Sequence, residues 1–246
     1  MFGHGFGLDQ TSWRHVAPAF EADYRVVTFD YVGSGRSDRS AYRSERYATL
    51  TGYAKDVTEV LAALRCEPVV FVGASISGMI GLLAALDEPA RFSRLVMIGT
   101  SPRYLNDGSY HGGFSPEDID GLLDVLDQNF VGWAANMAST AIKDPQIARE
   151  LERGICAIDP RIARQFAEAA FRCDMRTLLP KCQHPVLVIQ CKHDDVVPSA
   201  AAEYLAEHLP RSRYQLLQAS GHCPQLTQPA DIRALILNYL DSPAER

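Results

Sequence analysis

Ser75 stands in the run V-F-V-G-A-S-I-S-G-M, residues 70–79, where a hydroxyl has the setting of a nucleophile. A serine is presented for attack when a strand turns sharply into a helix and small neighbours let the backbones come close. Gly73 lies two residues before Ser75; two after it stands Ser77, small but not the usual glycine, and Gly78 comes next. Taken alone, the stretch reads equally well as an ordinary turn with Ser75 capping a helix. Two later stretches change that balance. K-H-D-D-V-V-P carries Asp194 and Asp195, and A-S-G-H-C-P carries His222. A neutral imidazole can take the serine proton and return it to a leaving group, while a carboxylate fixes the imidazole tautomer. The oxyanion of an acyl-transfer intermediate needs two N–H donors, one of them from the residue after the nucleophile. Ile76 supplies that donor, and Phe6 in the run His4-Gly5-Phe6-Gly7 fits the second.

These residues need a scaffold that gathers strand ends. Tyr24 to Asp30, Pro68 to Gly73, Arg94 to Gly99, Pro185 to Cys191 and Tyr214 to Gln218 read as short buried strands. Helical spacing covers Leu50 to Arg65, Ile76 to Leu86, Ser199 to His208 and Pro229 to Leu240. Continuous apolar strands alternating with helices predict a parallel sheet covered on both faces, with functional groups at the carboxyl ends of its strands. Residues 101–180 break the alternation. Ser115-Pro116 opens one helix, and others come near 131–142, 145–156 and 160–171, with no strand signal between them. The expected organisation is a core of residues 1–100 and 181–246 with an all-helical lid, 101–180, inserted over the site.

Composition narrows the partners. The 246 residues are 47% hydrophobic and 22% charged, enough for one sizeable core. Twenty-four basic against thirty acidic residues give a net charge of −6, which disfavours nucleic acid or an anionic membrane as the main partner. No apolar run reaches the about 18 residues of a membrane span, and the first residues do not form a secretion signal. The six cysteines are scattered without a C-x-x-C pair, which predicts buried or half-buried free thiols in a reducing cytoplasm. No H-x-x-x-H pair, nucleotide-binding G-K-[ST] or complete dinucleotide loop occurs, so neither a metal nor a cofactor is expected.

HGFGLDQTSW, FDYVGSGRSD, VFVGASISGMIG, LVMIGTSPRYLND, CDMRTLLP and SGHCPQLTQP together resemble the RsbQ-type hydrolases, a group that includes the plant strigolactone and karrikin receptors. The likeness runs along essentially the whole chain. It implies the α/β-hydrolase fold, a lid of four helices in a V, and a Ser75, Asp194, His222 triad. The family's spacing to Pro198 selects Asp194 over Asp195. It also implies an apolar pocket lined by Phe6, Tyr110, Trp133, Met137 and Phe171. Three departures stand out: Leu123 and Met137 replace receptor-like aromatics, and Ala74 stands where a histidine commonly precedes the nucleophile. Family members carry roughly two further strands before the HGFG loop, so the expectation is a native chain that extends upstream of Met1.

Two functions are then in view. One is a serine hydrolase for a small apolar ester, lactone or enol ether. The other is a stress-signalling regulator that binds or slowly hydrolyses a ligand and engages a regulatory protein partner.

Overall fold

The computed structural model describes residues 1–65 and 68–242. Five strands, β1 (Phe2–Gly3), β2 (Val69–Ala74), β3 (Phe92–Ile98), β4 (Val186–His193) and β5 (Ser212–Ser220), form one parallel sheet in sequence order. Helices α1 (Leu50–Leu64), α2 (Ile76–Asp87), α7 (Ser199–His208), α8 (Pro224–Thr227) and α9 (Pro229–Asp241) accompany the sheet. Four others, α3 (Pro116–Gln128), α4 (Phe130–Ala141), α5 (Pro145–Cys156) and α6 (Pro160–Phe171), lie between β3 and β4 in the chain.

The period of two along each strand divides the core. Phe71, Leu95, Met97, Val186 and Val188 join α1, α2, α7 and the four inserted helices in one cluster. Val72, Ala74, Val96, Ile98, Leu187 and Ile189 join α9, Trp13 and Phe20 in the other. Both sheet faces are covered, so β2, β3 and β4 are nearly continuous in apolar residues instead of alternating with polar ones.

Local chemistry sets the limits of the inserted helices. Ser115 and Asp118 form a reciprocal capping box at α3, Asn129 caps α4, and Asp144 and Asp159 cap α5 and α6 ahead of Pro145 and Pro160. Each cap satisfies N–H groups that the helix cannot, and proline at the first position loses no hydrogen bond. The ion pairs Arg164–Asp127 and Arg172–Asp120 tie α6 to α3.

The structure departs from the sequence expectations at three places. Tyr24 to Asp30 is not a strand: Thr28 bridges Phe2, and the Phe2 N–H donates to the Val27 carbonyl at 2.8 Å. The neighbour it bridges, β1, offers two residues, too short a ladder to propagate. Tyr214 to Gln218 lies in β5, a strand at the sheet edge with no buried residue instead of a buried strand; the named elements of the insertion are all helical, with isolated bridges, Leu105 to Phe114 and Asp107 to Tyr110, before α3. Among the cysteines, Cys182, Cys191 and Cys223 are buried and Cys173 half-buried, but Cys156 is exposed at the end of α5. Cys66 lies outside the described residues.

Candidate active site

Ser75 occupies the junction of β2 and α2 with φ 55° and ψ −128°, a conformation that side chains rarely adopt. Several contacts hold it there. The Ser75 N–H donates to the Ile98 carbonyl at 2.7 Å, and the Thr100 hydroxyl donates to the Ser75 carbonyl at 2.9 Å. A Cβ on Gly73 would lie 2.6 Å from backbone atoms of Ser77 and Gly78, so only glycine fits. Ser77 is accommodated by its surroundings: its Oγ lies 2.6 Å from the buried Tyr31 hydroxyl, in space that a Cβ on Gly3 would invade.

His222 Nε2 lies 2.7 Å from Ser75 Oγ, and Nδ1 lies 2.8 Å from Asp194 Oδ2. The Asp194 side chain is 1% exposed. Its Oδ1 accepts the N–H groups of Val196 (2.9 Å) and Val197 (3.0 Å), and its Oδ2 also accepts Gln190 Nε2 at 3.2 Å. Burial pushes this carboxyl up, but His222 and the two valine N–H groups outweigh burial and hold it below the ordinary carboxylate value. Asp195 points away, 57% exposed and paired with Lys143. The His222 backbone is positioned from two sides: its N–H donates to the Ala141 carbonyl at the end of α4 (2.7 Å), while Gly221, at φ 100°, donates to the His193 carbonyl (2.8 Å).

Phe6 and Ile76 flank Ser75 on the cavity wall. Among the described residues neither N–H is committed to a protein acceptor. The Phe6 loop is fixed from behind by His4, which is fully buried and kept neutral by that burial. Its Nδ1 donates to the Gly5 carbonyl (2.9 Å), and its Nε2 accepts the Tyr31 N–H (3.2 Å). Helix α5 closes on the same loop, since a Cβ on Gly154 would lie 2.2 Å from the Gly7 carbonyl oxygen. With Ser75 at the start of α2, the partial positive charge of the helix N-terminus also favours an anion beside it.

The cavity over Ser75 is apolar and narrow, with about 50 Å³ in which the centre of a water-sized sphere can move. That is room for a few waters. Of the five residues expected to line it, Phe6, Met137 and Phe171 do. Tyr110 does not: its ring packs against Tyr204 at 4.8 Å, and its hydroxyl donates to the Arg103 carbonyl at 2.7 Å. Trp133 stands one layer back, edge-on to Phe6 (5.7 Å) and stacked on Phe130. Sequence reasoning missed Tyr104, Leu151, Val196, Cys223 and Gln225. The last two sit directly after His222 in G-H-C-P-Q, a proximity that could have marked them. Tyr104 is buried against Phe171 (5.1 Å), with its phenol turned to the Ser75 side chain, and burial raises its pKa. Burial likewise pushes the Cys223 thiol up to about 12, which leaves it a poor nucleophile.

The arrangement can do one kind of chemistry well. With Nδ1–H donated to Asp194, Nε2 is free to accept a proton from Ser75, and the uncommitted Phe6 and Ile76 N–H groups could receive an oxyanion. A parallel sheet that delivers a serine, a histidine and an aspartate to one apolar cavity defines a hydrolase scaffold. Residues 1–235 match the family described as the alpha/beta hydrolase family, and the chain belongs to it. A probable esterase of Oryza sativa subsp. japonica is 38% identical over 98% of this chain and 90% of its own length. The karrikin insensitive 2 receptor CA of Petunia hybrida is 36% identical, covering 98% and 90% respectively. Among solved structures, a hydrolase from Oleispira antarctica superposes with a TM-score of 0.96 at 36% identity, covering 98% of this chain and 90% of that one.

Proposed function

We propose that this chain is a serine hydrolase that cleaves a small apolar ester or lactone, enol esters included, through an acyl-enzyme on Ser75. The observation that carries this reading is the unbroken relay from Ser75 Oγ to His222 to Asp194, at 2.7 and 2.8 Å, beneath an apolar cavity. In the first step Ser75 Oγ attacks the carbonyl carbon as its proton passes to His222 Nε2. The oxyanion is held by the Phe6 and Ile76 N–H groups, and His222 then gives the proton to the departing alcohol or enol. Water repeats the sequence to release the acid. The names of the Oryza esterase and the Oleispira hydrolase support the same reaction class.

Residues 101–180 act in this reading as a lid, because α4, α5 and α6 supply Met137, Ala141, Leu151, Ala170 and Phe171 to the cavity roof. No described helix is long and apolar enough to cross a membrane; the cytoplasmic location we propose is supported by the free thiols of Cys156, Cys173, Cys182, Cys191 and Cys223. A second reading, a ligand-binding regulator that engages a protein partner, is favoured by one contact. The His222 N–H is held by Ala141 at the end of α4, so a change at the base reaches a helix of the lid directly. The likeness to a karrikin receptor supports it as well.

Turnover of para-nitrophenyl acetate by the wild type and its loss in Ser75→Ala tests the proposal. Equal turnover by both proteins would overturn it. Turnover slower than lid movement on ligand binding would favour the regulator.

A further inference from the structure

Gln225 is 1% exposed, lines the cavity beside His222, and among the described residues has no oxygen or nitrogen partner for either end of its carboxamide, only the neighbouring Cys223 thiol. A buried carboxamide without partners costs free energy that an aliphatic side chain of the same volume would not, so each such group calls for a reason. Which amide atom is nitrogen and which oxygen is immaterial here, since neither has an oxygen or nitrogen partner. The neighbouring Cys223 thiol is at best a weak partner and cannot satisfy both ends. Mobility does not account for the open carboxamide either. The short helix α8 is pinned by Leu226 N–H to the Cys223 carbonyl (3.0 Å) and Gln228 N–H to the Pro224 carbonyl (2.7 Å).

The other hydrogen-bonding side chains on the wall are already engaged, and the free Phe6 and Ile76 N–H groups are reserved in the proposed reaction for the oxyanion. Ser75 and His222 bond each other, and the Tyr104 phenol faces Ser75. The rest of the lining is aliphatic or aromatic, apart from the Gly5 backbone and the Cys223 thiol. The Gln225 carboxamide is therefore the one side-chain donor-acceptor group of a lining residue left short of partners, buried beside the cavity, next to the reacting centre but outside its relay, where a guest that displaces side chains would meet it.

We infer that Gln225 is a specificity residue: its carboxamide donates a hydrogen bond to a second oxygen, an ether or carbonyl oxygen lying beyond the scissile carbonyl of the substrate. This rests on the proposed hydrolase reading and narrows it from apolar esters in general to oxygen-bearing esters and lactones. A site built around a buried hydrogen-bonding group discriminates strongly against an isostere that leaves the group unpaired.

The experiment compares two isosteric pairs that exchange one methylene for oxygen. On the acyl side they are para-nitrophenyl butyrate and para-nitrophenyl methoxyacetate; on the alcohol side, butyl acetate and methoxyethyl acetate. Values of kcat/KM are measured for wild type, Gln225→Leu and Ser75→Ala. Dividing the preference of Gln225→Leu by that of wild type removes the intrinsic reactivity difference within each pair. In at least one pair the preference for the oxygen-bearing member should fall by about tenfold or more in Gln225→Leu, with its hydrocarbon partner within about threefold of wild type. The Tm of Gln225→Leu should equal or exceed that of wild type, because the substitution removes an unpaired buried group. Preferences unchanged in both pairs would overturn the inference. So would an equal loss on all four substrates with a lowered Tm, which is the signature of a structural role. Loss of all turnover in Ser75→Ala keeps the hydrolase reading standing whatever Gln225→Leu does; turnover of none of the four by the wild type would bring down both.

Discussion

Replacing Asp194 by asparagine changes one atom, and the neighbours of that atom determine the effect on turnover. Oδ1 accepts two N–H groups, from Val196 and Val197. An asparagine at this position must place its amide oxygen there, because an NH2 would face two donors. Its nitrogen then takes the place of Oδ2, against His222 Nδ1 and Gln190 Nε2. The asparagine donates to Nδ1, the imidazole proton is forced onto Nε2, and the nitrogen facing Ser75 at 2.7 Å is no longer a base. The wrong tautomer at such a relay lowers kcat by about 10⁴-fold, or about 5.4 kcal/mol in the barrier at about 1.36 kcal/mol per decade. Asp195→Asn serves as the control, since that side chain is 57% exposed and paired with Lys143 outside the relay. An exposed pair of this kind contributes little, and turnover should stay within about twofold. The assay is kcat for para-nitrophenyl acetate on the two variants, with circular dichroism confirming the fold. An Asp194→Asn enzyme within about tenfold of wild type, or an Asp195→Asn enzyme that falls as far, would refute the reasoning.

Gly154→Ala places a Cβ 2.2 Å from the Gly7 carbonyl oxygen, so α5 and the Phe6 loop must separate. We expect stability to drop by about 1–3 kcal/mol in urea denaturation, with a fall in kcat as the loop shifts; an unchanged kcat would detach α5 from the site. Asp30 is drawn upward by burial, but the N–H groups of Arg36 and Gln10 outweigh that and hold its carboxyl below the ordinary 3.8. A folded-state value below the unfolded one adds stability above pH 3.8, which is lost as pH falls through the folded value. Asp30→Asn should therefore be less stable than wild type at about pH 7, and the gap should close toward about pH 2. A gap that widened on acidification would show the sign to be wrong.

The core of this fold was legible wherever a signal is local. β2, β3 and β4 are runs of apolar residues ended by turn chemistry, and α3, α5 and α6 carry their own caps. The chain order of Ser75, Asp194 and His222 was visible for the same reason, because each sits at the carboxyl end of a strand signal. The family's spacing to Pro198 points to Asp194 over Asp195, and the geometry gives the physical reason: the Val196 and Val197 N–H groups hold Asp194 against His222. Non-local facts were hidden. Tyr24 to Asp30 has strand composition, but its pairing depends on the two-residue β1 beside it. Tyr110 and Trp133 are aromatic residues of the insertion that point to Tyr204 and Phe130, and side-chain direction is set by how each element docks. Ser77, read as a departure from the expected glycine, is explained by Tyr31 and Gly3, which lie 46 and 74 positions away in the sequence.

The central claim is that Ser75 is an activated nucleophile, and the most direct measurement is intact-protein mass after treatment with a fluorophosphonate. Such a probe phosphonylates a serine whose proton is drawn off by a base. The account predicts a single adduct on the wild type and none on a folded Ser75→Ala. An unmodified wild type, or an adduct that persists on Ser75→Ala, would contradict it.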